Sequence, residues 1–296
     1  MFIRNFILFI VLIQSFPTFA DGNSNVSYYQ RIVGALAHDS MQGREVSTKY
    51  EDKAANYISK EVARLLNRKT NIHTFSFVNS QNQQSQQSKN VYYFKDNHAL
   101  KTILISAHYD HLGLGGLKSL SYGKRNQVHN GADDNASGVA LTLSLCKELS
   151  TWKSKQYNYL FVWYSAHEIG LYGSSAFKQY CESMKTSIAL VLNFDMVGRL
   201  DHKVKIMSVY GFETLKGKDN YIYKQNSGIT IRANENDMIY QTDGGAFASA
   251  GISALSFTTG VHEDYHKVSD DANTLNYEGM VEIQDLMEDF IKQLNL

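Results

Sequence analysis

The sequence contains few cysteines, a single proline and no excess of either charge. Of 296 residues, 2 are cysteine and 1 is proline, and 29 Lys and Arg balance 29 Asp and Glu. With 43% hydrophobic residues, this composition argues against collagen, disorder and coiled coil. The zero formal charge leaves no basic surplus to neutralise phosphates, so we expect neither nucleic acid nor anionic membrane surfaces as partners. A chain of this length can fold around one core, and we expect one main domain.

Long apolar runs are also absent, apart from a short one at the amino terminus. Arg4 precedes an apolar stretch at 6–16, and small residues end at Ala20, which is the layout of a secretory signal peptide cleaved after that residue. The run is shorter than the roughly 20 residues that span a bilayer, which disfavours an uncleaved anchor. We therefore predict a signal peptide at 1–20 and a mature domain at 21–296. We expect the protein to be secreted or periplasmic, with no stable membrane association after cleavage.

Export would allow the two cysteines, Cys146 and Cys181, to form a disulfide bond. Each lies in a segment with helical periodicity, which suits a buried free thiol equally well. The sequence leaves both alternatives open.

Short apolar runs alternate with helical periods along the mature chain. Thr48 and Glu51 form a capping box ahead of a helix, and a stretch rich in Gln, Ser and Asn at 79–90 is predicted to be a hairpin loop. The apolar runs do not alternate with polar residues, so we expect strands that helices cover on both faces. This order predicts an α/β fold, a single domain with a mixed, mostly parallel β-sheet sandwiched by helices. The predicted strands cover 102–107, 159–166, 187–194, 204–210 and 252–258, and a last helix covers 277–294.

Side chains of metal-binding types follow several of these predicted strands. Ligands of such a sheet bind beyond the carboxyl ends of its strands, so these side chains are expected to meet. Imidazole and carboxylate without thiolate are typical of a catalytic site for zinc or a similar divalent ion. The side chains are His108, Asp110 and His111, then Asp133 and Asp134, His167 and Glu168, Asp195 and His266. Each has an ordinary explanation on its own, such as a helix cap or a core histidine, but their joint occurrence favours a metal site.

Five blocks carry these residues in a fixed order. They are His-Tyr-Asp-His-Leu-Gly at 108–113, Gly-Ala-Asp-Asp-Asn-Ala-Ser-Gly at 131–138, His-Glu-Ile-Gly-Leu-Tyr-Gly-Ser at 167–174, Asn-Phe-Asp-Met-Val-Gly-Arg at 193–199 and His-Glu-Asp-Tyr-His-Lys-Val-Ser-Asp at 262–270. In these blocks, and in the segment at 39–44, the chain resembles the secreted di-zinc aminopeptidases of metallopeptidase family twenty-eight. The resemblance implies the zinc exopeptidase fold, which is of the phosphorylase/hydrolase type. It also implies an enzyme that removes N-terminal residues from peptides with a free N-terminus, using water activated by two metal ions.

Carried over position by position, the resemblance implies a site with two zinc ions per chain. His108 and Asp195 would hold one ion, and Glu168 and His266 would hold the other. Asp134 would bridge them, because a shared carboxylate offsets the repulsion between two dications about 3.5–4 Å apart.

The resemblance also implies residues that act around the metals. Asp110 would accept the remaining N–H of His108 and fix its tautomer. Tyr265 would stabilise the oxyanion of the reaction, or simply pack as an aromatic side chain. The family usually has an acid where His167 stands, but a histidine can also take up a proton near neutral pH, and we interpret His167 as the proton shuttle. Asp243 is a candidate for recognising the α-amino group of the substrate.

Two alternative functions remain open. A glutaminyl-peptide cyclotransferase of the same fold works with one zinc and typically lacks the full ligand set, whereas all five ligand positions are filled in this sequence. A non-catalytic zinc-holding protein that binds peptides is suggested only by the histidine at 167.

Overall fold

A computed structural model describes residues 22–80, 82–123, 126–215, 228–234 and 237–294, so the predicted signal peptide at 1–20 lies outside the described residues. The helices in these ranges are α1 (Gly22–Leu36), α2 (Lys49–Leu66), α3 (Gly138–Thr151), α4 (Tyr172–Ser183), α5 (Gly245–Ala248) and α6 (Tyr277–Gln293). The strands are β1 (Asn71–Val78), β2 (Ser85–Lys95), β3 (Lys101–His108), β4 (Tyr157–Tyr164), β5 (Ile188–Phe194), β6 (Ile206–Tyr210), β7 (Thr230–Asn234) and β8 (Ser253–Thr258). None of these helices combines the length and the apolar character that a bilayer-spanning segment requires.

The described strands form one mixed sheet in the order β1-β2-β4-β3-β5-β8-β6-β7. The central strands β4, β3, β5 and β8 are parallel, as are β6 and β7. The pairs β1–β2, β2–β4 and β6–β8 are antiparallel. The predicted fold, a single α/β domain with a mixed sheet between helices, is confirmed.

The first hairpin differs from the prediction in the length of its loop. Residues 85–90 were expected in the loop but belong to β2, where Ser85 pairs with Val78 and Asn90 with His73. Along this part of β2 the side chains alternate between exposed and buried, with Ser88 and Asn90 buried. Polar residues form a strand here because β1 supplies hydrogen-bond partners for the backbone. The edge strand β7 was not predicted at all, and its short, mostly exposed sequence explains why.

Helices cover both faces of the sheet, as the apolar runs predicted. Ile103 and Ile105 of β3 pack into a core formed with α1, α2, α3 and α6, whereas Leu104 packs on the other face with α4 and α5. Successive side chains of a strand point to opposite faces, so a strand buried on both faces is mostly apolar.

The two cysteines lie on opposite faces of this sheet. Cys146 of α3 belongs to the first core and Cys181 of α4 to the second, and both are free, buried thiols. Burial raises the pKa of the Cys181 thiol to about 12. The disulfide alternative is wrong, because the sheet separates residues whose Cα atoms would have to lie within about 7 Å of each other.

Candidate metal centre and active site

The predicted metal ligands meet at the carboxyl edge of the central strands. β3 ends at His108, which pairs with Tyr164 at the end of its parallel neighbour β4. Glu168 lies in the turn that follows β4, and Asp195 directly follows β5, the other parallel neighbour of β3. Parallel strands that end at one edge deliver the residues after them to one place.

Three donor atoms form a first group around His108. The Nε2 atom of His108 lies 3.3 Å from Oδ1 of Asp134 and 3.4 Å from Oδ1 of Asp195. The ligand atoms of a tetrahedral zinc with bonds of about 2.0–2.1 Å lie roughly 3.3 Å from one another. His108 is fully buried and its Nε2 atom has no hydrogen-bond partner in the described structure, so the group fits one zinc ion.

A second group has the same spacing and shares Asp134. The Nε2 atom of His266 lies 3.2 Å from Oδ2 of Asp134 and 3.3 Å from Oε2 of Glu168. The two oxygens of Asp134 therefore face different groups, which is the arrangement of a bridging carboxylate. The structure thus brings together all five side chains that the sequence predicted as ligands.

The loop that carries Asp134 is buried and held by a second acid. Asp270 accepts hydrogen bonds from the backbone N–H groups of Asp133 and Asp134. The peptide bond between Asp134 and Asn135 is cis, and the Asn135 side chain accepts a hydrogen bond from Gly138, the first residue of α3. This loop therefore caps the helix, as one interpretation of the sequence had it, and also presents the bridging carboxylate.

Arg44 fastens the segments around the site. Its buried guanidinium donates hydrogen bonds to the backbone carbonyls of Leu36, Tyr109, Asn130 and Gly131. Burial lowers its pKa to about 10, although nearby acids, Asp134 first among them, oppose this shift. Arg44 lies in the segment at 39–44 that resembles the family, but the sequence did not predict its function. These hydrogen bonds join the end of α1 to the residue after His108 and to the loop before Asp134.

Asp110 differs from its predicted role. The Nδ1 atom of His108 lies 3.1 Å from the backbone carbonyl of Asp110, but 3.7 Å from its carboxylate. That carboxylate instead accepts hydrogen bonds from the backbone N–H groups of His167 and Glu168, at 3.1 and 3.2 Å. The carbonyl is thus the nearer acceptor for His108, and the carboxylate fixes the turn after β4.

His167 lies against the first metal group and is held from behind by Asp243. Its ring stacks on that of His108 at 3.8 Å between centroids and 5° between planes. Its Nδ1 atom lies 2.9 Å from Oδ2 of Asp243, and its Nε2 atom lies 3.9 Å from Asp195. Because the two rings are parallel, an ion held in the plane of His108 would lie outside the plane of His167. The lone pair of His167 would then not point at that ion.

The contact with His167 also shows where the Asp243 side chain lies. The Asp243 side chain is fully buried and bonds His167. The expectation that it recognises the α-amino group of a substrate is wrong, because its buried carboxylate faces His167 and does not line the cavity.

The charge on His167 depends on opposing effects. Burial lowers the pKa of His167, but Asp243 and Asp195 outweigh this effect and raise it to about 9. Two dications beside the ring would act against these acids and favour the neutral imidazole, which is the form that accepts a proton.

Tyr265 lies between the second metal group and a cavity of about 150 Å³. Its ring stacks on His266 at 3.9 Å between centroids, so packing is one part of its role. Burial also raises its pKa, which keeps the phenol protonated. Asp134, His167 and Asp195 line the same cavity, and the remaining wall includes Met196, Met238, Phe257 and Val261. A ligand in this cavity would therefore contact Tyr265, the metal ligands and an apolar surface.

His111 was among the candidate metal-binding side chains, but the sequence did not assign it to either ion. It is buried, and its Nδ1 atom lies 3.0 Å from Oε1 of Glu168 and 3.8 Å from Oδ2 of Asp134. Its position three residues after His108, beyond the end of the same strand, was the available signal.

Solved structures share this fold at low sequence identity. LapA aminopeptidase of Legionella pneumophila is 20% identical with a TM-score of 0.71, over 99% of this chain and 77% of that one. BSAP, a zinc aminopeptidase from Bacillus subtilis, is 14% identical with a TM-score of 0.71, over 90% and 94% of the two chains. A glutaminyl cyclase from Fimbriiglobus ruber is 17% identical with a TM-score of 0.76, over 95% and 98%. At these identities the likeness shows the fold alone.

No curated protein sequence matches the chain. Residues 90–291, which are more than half of the chain, match peptidase family M28 and include every predicted metal ligand. The chain therefore belongs to peptidase family M28.

Proposed function

We propose that the protein is a zinc-dependent aminopeptidase that hydrolyses N-terminal residues from peptides. The arrangement around Asp134 carries this proposal, because its two oxygens lie 3.3 and 3.2 Å from two different histidines, His108 and His266. Asp195 and Glu168 complete the two groups of donors. We propose two zinc ions per chain as the cofactor, and membership of the family supports a peptidase.

Different side chains of the site would bind the metals, transfer the proton and stabilise the oxyanion. Two zinc ions bound here would supply Lewis acidity and lower the pKa of a water molecule. Nε2 of His167 accepts the proton of the attacking water and passes it to the leaving amine. Asp243 holds the opposite N–H of that ring at 2.9 Å and stabilises the imidazolium form. Tyr265 lines the cavity, where its protonated hydroxyl can donate a hydrogen bond to the oxyanion.

The cavity suits one terminal residue rather than an extended peptide. Its volume of about 150 Å³ is well below the roughly 300–1,000 Å³ of sites that enclose drug-sized ligands. The rest of the peptide would have to leave the site on the far side of the metals. We therefore propose peptides with a free N-terminus as the substrates.

We also propose that the protein is secreted or periplasmic and that no stable membrane association follows cleavage. The apolar stretch at 6–16, which ends in small residues at Ala20, supports this proposal. N-terminal sequencing of the exported protein should give Asp21 as the first residue. Retention of Met1 in a membrane fraction would contradict it.

The test of activity is a panel of aminoacyl chromogenic substrates, run on the zinc-loaded mature protein beside the same substrates with acetylated N-termini. We expect cleavage of the free substrates only, because the site admits a terminal residue. Equal cleavage of both sets would contradict an aminopeptidase.

The same preparation separates the two alternatives. Conversion of a peptide with N-terminal glutamine to its pyroglutamyl form, with no hydrolysis, would identify a glutaminyl cyclase. Peptide binding without any turnover would support the non-catalytic zinc-holding protein.

A further inference from the structure

His111 is held rigidly beside the second metal group. It is fully buried in the loop after β3, and its ring packs against Gly131. A Cβ atom on Gly131 would collide with this ring, and Gly131 has a φ of +57°, which favours glycine. The backbone of Gly131 therefore packs directly against one side of the imidazole.

Two histidines face the same pair of acids in this group. Nδ1 of His111 lies 3.0 Å from Oε1 of Glu168 and 3.8 Å from Oδ2 of Asp134. Nε2 of His266 lies 3.3 Å from Oε2 of Glu168 and 3.2 Å from the same Asp134 oxygen. Three of these separations are close to the roughly 3.3 Å expected between ligands of one tetrahedral zinc. The donor atoms of His111, Asp134 and Glu168 lie close enough together to hold one metal ion.

The orientation of the two rings allows them to share an ion. The planes of His111 and His266 meet at 72°, with 5.9 Å between centroids. Two planes at this angle share a line, so an ion on that line would lie in the plane of both rings. The parallel rings of His108 and His167 have no such common point.

We propose that His111 is a fourth protein ligand of the ion held by Asp134, Glu168 and His266. This inference rests on the metal site of the proposed function, but not on peptidase activity. An ion with four protein ligands resembles a structural zinc, whereas the ion at His108, Asp134 and Asp195 keeps an open position, as catalytic zinc does. The four-ligand position then binds zinc more tightly and fills first.

The direct test counts the imidazoles on the isolated four-ligand position. The His108→Ser variant removes a ligand of the other ion, and it is loaded with one equivalent of zinc for X-ray absorption spectroscopy. We expect two imidazoles on the zinc, from His111 and His266. A count of one would overturn the proposal, because His111 would then only donate a hydrogen bond to Glu168.

Zinc affinity gives a second test with a matched control. His111→Ser should bind its first zinc about 100-fold more weakly than wild type in competition with a chelator, because ligand losses have effects of at least this order. The control, His129→Ser, removes another buried imidazole, whose nitrogens face Ser119 and the Gln127 carbonyl, and should keep wild-type affinity. Equal zinc affinity of the two variants would overturn the proposal.

These measurements fail separately from the proposed activity. A wild-type protein that hydrolyses aminoacyl substrates while His108→Ser shows one imidazole would overturn the role of His111 alone. If His108→Ser shows two imidazoles on zinc but wild type hydrolyses no substrate, the role of His111 stands and the proposed aminopeptidase activity is refuted.

Discussion

Replacing Asp243 by asparagine should slow catalysis without releasing metal. The substitution keeps the shape of a side chain that is fully buried, but removes the negative charge 2.9 Å from Nδ1 of His167. A hydrogen bond to a charged group contributes about 1.5–3 kcal/mol, and this one is needed most when His167 becomes an imidazolium in the transition state. We therefore expect kcat to fall about 10- to 100-fold, because 1.4 kcal/mol corresponds to a factor of ten.

A double-mutant cycle tests whether Asp243 acts through His167. His167→Ala should itself lower kcat by about 10²–10⁴-fold, the usual contribution of a general base, with metal content near that of wild type. Asp243→Asn should then have almost no further effect in the His167→Ala background, since its partner is gone. Steady-state kinetics with one aminoacyl substrate and elemental analysis of each variant supply the data. An equal loss of kcat from Asp243→Asn in both backgrounds would refute the reasoning.

Three further predictions concern metal, thiols and stability. Asp134→Asn should lose metal and activity together, as measured by elemental analysis and turnover, because an amide has one oxygen and cannot bridge two ions; full metal content would contradict a bridge. Both Cys146 and Cys181 should react with a thiol reagent after unfolding without reductant, since they lie on opposite faces of the sheet; no reaction would indicate a disulfide. Burial raises the pKa of Glu61, but two arginines outweigh this effect and hold the pKa below its ordinary value. One of them is Arg31, which lies 2.8 Å from Glu61. The pair therefore stabilises the fold above the ordinary pKa and ceases to do so as the pH falls below about 4. Glu61→Gln should cost about 1 kcal/mol at pH 7 and almost nothing at pH 3 in urea unfolding, and equal costs at both pH values would contradict the ion pair.

The sequence predicted the central strands well and the edges poorly. The runs at 102–107 and 187–194 are mostly apolar because helices cover both faces, and this pattern can be recognised from the sequence alone. At the edge, β2 begins with polar residues, and their strand conformation depends on pairing with β1. The composition of one segment does not show which other segment it pairs with.

By itself, the sequence determined which side chains are candidate metal ligands. His108, Asp134, Glu168, Asp195 and His266 lie in short contiguous blocks, and the type of each residue states its chemistry. The rule that parallel strands end at one edge brought His108, Glu168 and Asp195 together, and the resemblance to a known family supplied the set of five.

Only the tertiary structure decided how the surrounding residues divide the remaining roles. The sequence allowed Asp243 to contact a substrate, but the packing of its loop places its carboxylate against His167, 76 residues away in the chain. Asp110 turned its carboxylate to the next strand's turn, and His111 met Glu168 because Gly131 left room for its ring. The physical reason is that the type of a residue shows whether its side chain can bind a metal. The role of a residue that supports a metal ligand depends instead on which side chain or backbone group it contacts. Close packing of segments that are distant in the chain decides that contact.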